Sequence, residues 1–180
     1  MSTRSVIARR NADQSISAVY CHSDGYLDGV GKMLAEHWTD PVKVDQLIAL
    51  GSLSVLGEEV GEQHDFSWRL GHWYDSSRFA TRQEMWDAID ADPRSKWTRA
   101  YTRDRNDPVA DTRPGKYADE MELLKRADDN FGAEFVYIFS PRTCLWTARE
   151  LFRGAMCTVE FKLVDMPVKG AESVAQTVTS

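Results

Sequence analysis

The N-terminal segment alternates between apolar and polar positions with the two-residue period of a β-strand. Residues 5–10 and 15–22 are short runs with β-branched side chains, separated by the turn-forming sequence NADQ. On the second run, Val19 and Cys21 fall on the face opposite to Ile16. The pattern predicts an N-terminal β-hairpin.

Beyond the hairpin, the apolar period changes to that of a helix. An amphipathic stripe suited to packing on the hairpin is formed by Val30, Met33, Leu34, His37 and Trp38. The spacing of apolar residues also predicts a helix over residues 117–127.

Capping residues mark two further helices. Asp40 and Pro41 suit the cap and first position of a helix that Gly51 can end in a left-handed conformation. Thr81 and Glu84 have the spacing of a capping box, which predicts another helix start.

The last third of the chain returns to strand patterns, in EFVYIFS, TCLWTARE and CTVEFKLVD. No repeat or linker divides the chain. We therefore expect a single α+β domain over residues 1–165, with an antiparallel sheet, the N-terminal β-hairpin, and helices packed on one face of the sheet. Residues 166–180 have little to bury, and we expect them to form a mobile tail.

The overall charge bears on the class of partner. Lys and Arg number 22 against 28 Asp and Glu, which gives a net charge of -6, so direct nucleic-acid binding is not expected. An acidic surface suits a basic partner. We expect a cytoplasmic protein for three reasons. The three cysteines form no CxxC pair, the N-terminus lacks a signal-peptide pattern, and no apolar run is long enough to span a membrane.

The sequence YCHSDGY contains the first candidate for chemistry. Cys21 and His22 are the residue types of a thiolate nucleophile and its base, but adjacent strand residues point to opposite faces. His22 and Asp24 can share a face and hydrogen-bond as a catalytic pair. Alternatively, Asp24 caps a turn, Gly25 supplies a positive φ, and Cys21 is a small buried hydrophobe, which is the commoner role of such a sequence.

The segment AYTRDRND is the second candidate. Arg103 and Arg105 would share one face of an extended segment beside Tyr101, which suits contact with a carboxylate or phosphate. The favoured alternative is a surface turn in which arginine and aspartate neutralise each other.

Other candidates are surface groups for binding. Acidic side chains that could meet a basic partner are Glu58, Glu59, Glu62 and Asp65, and also Asp119, Glu120 and Glu122. Asp24 and Tyr26 are further candidates for binding, and Trp68, Trp73 and Trp97 lie in loop-like sequence as possible interface anchors. Neither paired metal-ligand spacings nor a glycine-rich phosphate motif occurs, so we expect no metal and no cofactor.

Three stretches of the chain resemble a family of small proteins encoded by phages and prophages. Members begin with an NADG-type turn and a strand ending in YCHWDGY, followed by a glycine-marked helix and a KV..LI.LG segment. The matching stretches here are RRNADQSISAVYCHSDGYLDGVGKMLAEHW, VKVDQLIALGSLSVLG and, for the family's AYHRDRG, AYTRDRND. Gln14 replaces the turn glycine, Ser23 the tryptophan and Thr102 the histidine.

The resemblance implies an accessory protein that acts by protein–protein interaction to inhibit a host defence system in the host bacterial cell. Its most concrete form is an anti-CRISPR protein that binds a CRISPR effector. The alternative is a small enzyme, either a nuclease, a hydrolase or a modifier of host proteins or signalling nucleotides, with His22, Asp24 and residues 101–105 around one pocket. A DNA-binding regulator ranks last because no helix-turn-helix signature is present. The sequence does not predict the oligomeric state.

Overall fold

Eight strands form one mixed sheet in a computed structural model that describes residues 2–68, 76–153 and 159–166. The strand order is β4-β3-β2-β1-β6-β7-β8, and β5 also pairs with β2. The strands are β1 Ser5–Arg10, β2 Ile16–Cys21, β3 Leu53–Val55, β4 Arg99–Ala100, β5 Gly115–Tyr117, β6 Phe135–Ser140, β7 Leu145–Arg153 and β8 Val159–Val164.

Helices connect the strands, and the chain forms a single α+β domain, as predicted. They are α1 Lys32–His37, entered through a π-helical turn at Leu27–Gly31, then α2 Pro41–Ala49, α3 Arg82–Ala91, α4 Tyr101–Arg105, α5 Val109–Thr112 and α6 Glu120–Phe131. Single 3₁₀ turns occur at Ser76–Arg78 and Pro93–Lys96. Within the described residues, no helix has the length and apolar content needed to cross a bilayer.

The sheet is mixed, so the expectation of a purely antiparallel sheet is wrong. The predicted hairpin of β1 and β2 is present, with Ser5 opposite Cys21. However, β1 pairs in parallel with β6, where Val6 lies opposite Val136, and β2 pairs in parallel with the start of β3. The long crossover between β2 and β6 allows this parallel pairing, which a short hairpin connection cannot make.

Helices cover both faces of the sheet, which corrects the prediction of helices on one face. One core contains Ile7 and Tyr137 under α1 and α2, and the other contains Val6 and Val136 under α6. The physical reason is visible in β1 and β6. Residues 6–8 of β1 and residues 135–139 of β6 are consecutive apolar residues, which is the pattern of strands that are buried on two sides.

Local capping sets the ends of the helices. The side chain of Asp40 accepts a hydrogen bond from the Val42 amide at 2.8 Å, which confirms the predicted start of α2. The last helix begins later than predicted, because the Asp119 side chain caps it by accepting from the Glu122 amide at 2.9 Å. Tyr117 therefore lies on β5 and not on the helix.

The C-terminal part of the domain packs against the rest of the fold. Met166, at the start of the predicted tail, contacts the core beneath α1 and α2. Residues 167–180, which form the rest of that tail, lie outside the described residues, as does Trp73.

We predict that replacing Gln14 by glycine stabilises the protein. Gln14 ends the turn between β1 and β2 with a φ of 68°, a left-handed conformation that costs a residue with a side chain about 1 kcal/mol more than glycine. Urea denaturation should show a free energy of unfolding about 1 kcal/mol higher for Gln14→Gly. Gly132→Ala, at a φ of 57°, is the matched control and should lower it. A lower stability for Gln14→Gly would contradict this account of the turn.

Candidate functional site

A cleft of about 360 Å³ opens outside the carboxyl ends of β2 and β3. The loop after β2, the start of α1 and the segment after β3 enclose it. We call it the acidic cleft, because its charged side chains are Asp24, Asp28, Lys32, Glu36 and Glu58. In open sheets with parallel strands, the region outside the carboxyl ends is where ligands commonly bind.

The loop after β2 has a backbone that depends on its glycines. Asp24 has a φ of 56°, in the left-handed region. A Cβ on Gly25 would lie 2.8 Å from the backbone of Arg4, and a Cβ on Gly29 would lie 2.2 Å from the carbonyl oxygen of Asp24. The two glycines are therefore required by close backbone approach.

The loop continues into the π-helical turn Leu27–Gly31. The amides of Gly29 and Gly31 both donate to the carbonyl oxygen of Tyr26, at 3.1 and 3.3 Å, and the Val30 amide donates to that of Asp24 at 2.8 Å. Single π-turns are rare in proteins and occur frequently at functional sites.

Tyr137 fastens this loop to the centre of the sheet. Its hydroxyl donates to the Gly25 carbonyl oxygen at 2.8 Å, and Gly31 packs against its ring. Burial raises the pKa of Tyr137 far above its ordinary value, so the hydroxyl remains a protonated donor. The wall of the acidic cleft is thus held by a buried residue of β6.

The charges in the acidic cleft are only partly neutralised. Glu58 lies 3.5 Å from Lys96, and Glu36 lies 3.8 Å from the ring of His37, which is charged only when protonated. Asp24 and Asp28 make no ion pair within the described residues. The loop therefore presents two free carboxylates to the cleft.

Two of the predicted binding residues, Asp24 and Tyr26, meet on this loop. Tyr26 is 44% exposed and lies on the lining of the cleft beside the carboxylates. Glu58 is the third predicted residue that the fold brings to the same place. Asp28 and Glu36 complete the cleft and were not predicted. Their place in the cleft follows from the way the loop after β2 folds into α1, which no motif in the sequence specifies.

The other predicted acidic groups lie elsewhere. Glu59 pairs with Lys43 at 3.2 Å, and Glu62 is exposed on the following loop. Glu120 pairs with both Arg10 and Arg149, at 3.0 and 2.7 Å. These ion pairs neutralise the negative charges of Glu59 and Glu120, which the sequence alone shows as acidic surface groups.

Cys21 and His22 do not form a catalytic pair. Cys21 is fully buried, and this burial raises the pKa of its thiol to about 12, so it remains protonated at neutral pH. The Nδ1 atom of His22 lies 2.8 Å from the hydroxyl of Tyr20, and no hydrogen bond joins His22 to Asp24 among the described residues. The interpretation of YCHSDGY as a strand end and a turn agrees with the structure, except that the positive φ belongs to Asp24 and not, as predicted, to Gly25.

Arg103 has a structural role and does not lie on an extended segment, contrary to the prediction. It belongs to the short helix α4 and donates to the backbone carbonyl oxygens of Val60, Gly61 and Thr98. Its Nε also donates to the carboxylate of Asp104 at 2.8 Å. Arg103 thus ties α4 to the loop after β3.

Asp104 and His64 form a buried pair that the sequence did not indicate. The side chain of Asp104 is 0% exposed and accepts hydrogen bonds from the amides of Ala100 and His64, at 2.8 and 3.3 Å. The His64 Nδ1 lies 3.0 Å from the carbonyl oxygen of Glu62, and its Nε2 is buried without a hydrogen-bond partner among the described residues. Because the ring is shielded from solvent, the pair supports the fold and is not available to a substrate.

Tyr101 and Arg105 pack together on the surface. The guanidinium of Arg105 lies 4.4 Å from the ring centre of Tyr101 and donates to Asp107 at 2.7 Å. This arrangement agrees with the favoured interpretation, a surface turn in which arginine and aspartate neutralise each other. Neither residue lines the acidic cleft.

The tryptophans provide little exposed surface in the described residues. Trp68 is only 6% exposed and packs with Met85 and Ile89, so its prediction as an exposed anchor is wrong. Trp97 is half-buried and packs against His64 and Gly61.

Among residues 2–68, 76–153 and 159–166, no group of three or more His, Cys, Asp or Glu side chains is arranged to hold a metal ion. Comparisons with protein-family models, with curated proteins and with solved structures found no match to this chain. We therefore infer a function from the geometry of the site.

We predict that Gly29→Ala destabilises the protein more than Gly31→Ala. A Cβ at position 29 would overlap the Asp24 carbonyl oxygen, whereas at position 31 it would lie 3.3 Å from the ring of Tyr137. Overpacking against backbone costs about 1–3 kcal/mol, which urea denaturation resolves. Equal stabilities for the two variants would show that the loop does not have this geometry.

We predict that stability falls at alkaline pH because of Cys21. Its pKa is about 12 in the folded state against an ordinary value of 9.0, so between these values only the unfolded chain releases the proton. The stabilisation is complete below pH 9.0 and is lost as pH rises toward 12, by up to about 1.4 kcal/mol per pH unit. Chemical denaturation of the wild type and of Cys21→Ala should show a flatter pH dependence in the variant just above pH 9.0. If the stabilities of the wild type and of Cys21→Ala change equally with pH, the raised pKa of Cys21 is contradicted.

Proposed function

We propose that this protein acts by binding another protein, and that the acidic cleft receives a lysine or arginine side chain of that partner. The observation that carries the proposal is the pair of carboxylates, Asp24 and Asp28, without an ion partner among the described residues and on a loop fixed by hydrogen bonds. A partner's cation would supply the missing charge.

The composition of the cleft suits a cationic side chain. Carboxylates accept charge-assisted hydrogen bonds from guanidinium or ammonium groups, and the exposed ring of Tyr26 offers a face for a cation–π contact. The volume of about 360 Å³ is at the lower end of small-molecule pockets and accommodates a side chain. Because Tyr137 and the loop glycines hold the wall in place, little ordering is needed when a partner binds.

Binding has more support than catalysis. The enzyme alternative depends on His22, Asp24 and residues 101–105 around one pocket. The His22 ring is engaged by Tyr20, and of these residues only Asp24 lines the acidic cleft. Ser23 also lines the acidic cleft, but among the described residues no hydrogen bond joins its hydroxyl to His37 or to a carboxylate that could act as its base.

The class of partner is proposed from the sequence resemblance to phage and prophage proteins. On that basis the partner is a component of a host defence system in the bacterial cytoplasm, in its most concrete form a CRISPR effector. Such effectors hold nucleic acid in positively charged channels, so they present the lysine and arginine side chains that this cleft suits.

We predict that the double substitution Asp24→Asn and Asp28→Asn abolishes partner capture from host lysate. Asparagine tolerates the left-handed conformation at position 24, so the fold should be retained. Losing two charge-assisted contacts should weaken binding about 100-fold. High salt should also weaken binding by the wild type, because it screens the same charges. The measurement is capture by the tagged protein, with quantitative mass spectrometry of the retained proteins.

The charge-matched control is the double variant Asp90→Asn and Asp111→Asn, which changes two exposed aspartates outside the cleft. This control should retain the partner. A partner held equally by both double variants would place the interface elsewhere, and the lack of any stoichiometric partner would contradict a binding function.

A further inference from the structure

A second cleft, of about 420 Å³, opens at the other end of the sheet. It lies outside the carboxyl ends of the parallel strands β1 and β6, where the turn between β1 and β2 approaches the turn between β6 and β7. We call it the basic cleft, because its charged side chains are Arg9, Arg10 and Arg142.

The lining of the basic cleft contains no carboxylate. Besides the three arginines, its polar side chains are Asn11, Gln14 and Ser140, all of which carry a hydrogen-bond donor. The chain as a whole has a net charge of -6, so this concentration of positive charge contrasts with its average composition.

Two of the arginines are held in place from outside the cleft. Arg9 pairs with Asp45 of α2 and donates to Asn11 at 3.3 Å. Arg10 lies 3.0 Å from Glu120 of α6, and that carboxylate also pairs with Arg149 at 2.7 Å. Because Glu120 is shared between two arginines, positive charge remains at the cleft.

The remaining donors of the basic cleft have no partner in the part of the chain that the structure describes. Among the described residues, the side chains of Gln14, Ser140 and Arg142 make no hydrogen bond or ion pair. Gln14 also adopts a left-handed φ of 68°, where glycine would be less strained. A strained residue whose amide lines a cleft is consistent with a functional role at the expense of stability.

We propose that the basic cleft binds phosphate groups, on a ligand of about the size of a mononucleotide. Guanidinium groups present forked donors that match phosphate oxygens, and the neutral donors of Gln14 and Ser140 complete a site for an anion. The volume lies in the range of small-molecule pockets. This site is at the opposite end of the sheet from the acidic cleft and does not depend on the function proposed there.

The test is a titration of the full-length protein with pyrophosphate, AMP and ATP, followed by calorimetry and by the amide NMR signals of residues 11–14, 140, 142 and 143. We expect saturable binding that moves these signals. Arg142→Gln should weaken binding about tenfold or more, because it removes a charge-assisted contact. Arg113→Gln, which changes an exposed arginine outside the cleft, should bind as the wild type does.

A parallel titration with a single-stranded oligonucleotide distinguishes the source of the phosphate. Nucleotide binding that Arg142→Gln weakens would establish a small-molecule site. Binding of the oligonucleotide alone, also weakened by Arg142→Gln, would establish that the phosphates belong to a strand. The first result supports the proposal as a whole, whereas the second retains the phosphate site and overturns the mononucleotide size of its ligand.

Gln14→Gly separates binding from stability. It should lower the affinity for pyrophosphate while raising the free energy of unfolding, so weaker binding could not be attributed to loss of the fold. The proposal is overturned if none of the phosphate ligands moves the signals of the two turns, or if Arg142→Gln and Arg113→Gln bind them equally.

Discussion

The parallel pairing of β1 with β6, buried on both faces, is the constraint on which the rest of the structure depends. Val6 and Ile7 face opposite cores, and their neighbours Val136 and Tyr137 do the same. Parallel pairing places the two carboxyl ends side by side, so their turns together form the basic cleft. Because β2 runs antiparallel to β1, its own carboxyl end lies at the other end of the sheet, where the acidic cleft opens.

Local signals in the sequence were sufficient for much of the secondary structure. The hairpin and the helix after Asp40 depend on neighbouring residues that form turns or caps, so they were predicted correctly. The arrangement of the sheet depends on pairing between distant segments, which turn residues do not specify. Consecutive apolar residues in β1 and β6 are typical of burial on both faces, a signal that the expectation of helices on one face did not include.

In the candidate site, too, local features were predicted and contacts between distant segments were not. Asp24 and Tyr26 were predicted because they lie in an unusual turn, and the structure brings Glu58 to them through the pairing of β2 with β3. Arg103 was misassigned because two of its partners are backbone carbonyl groups of a distant loop, at Val60 and Gly61, and such groups have no sequence signature. The role of a charged residue can be predicted from sequence when its partner is nearby, as for Arg105 and Asp107, but not when its partners lie on distant segments.

The most direct test of the central constraint is amide hydrogen exchange measured residue by residue with NMR. If β1 and β6 form the doubly buried centre, the amides of Ile7 and Tyr137 should exchange only through global unfolding, with protection matching the free energy from denaturation. Faster exchange there than in the edge strand β8 would contradict the account, because the two clefts would then lack the rigid centre that positions them.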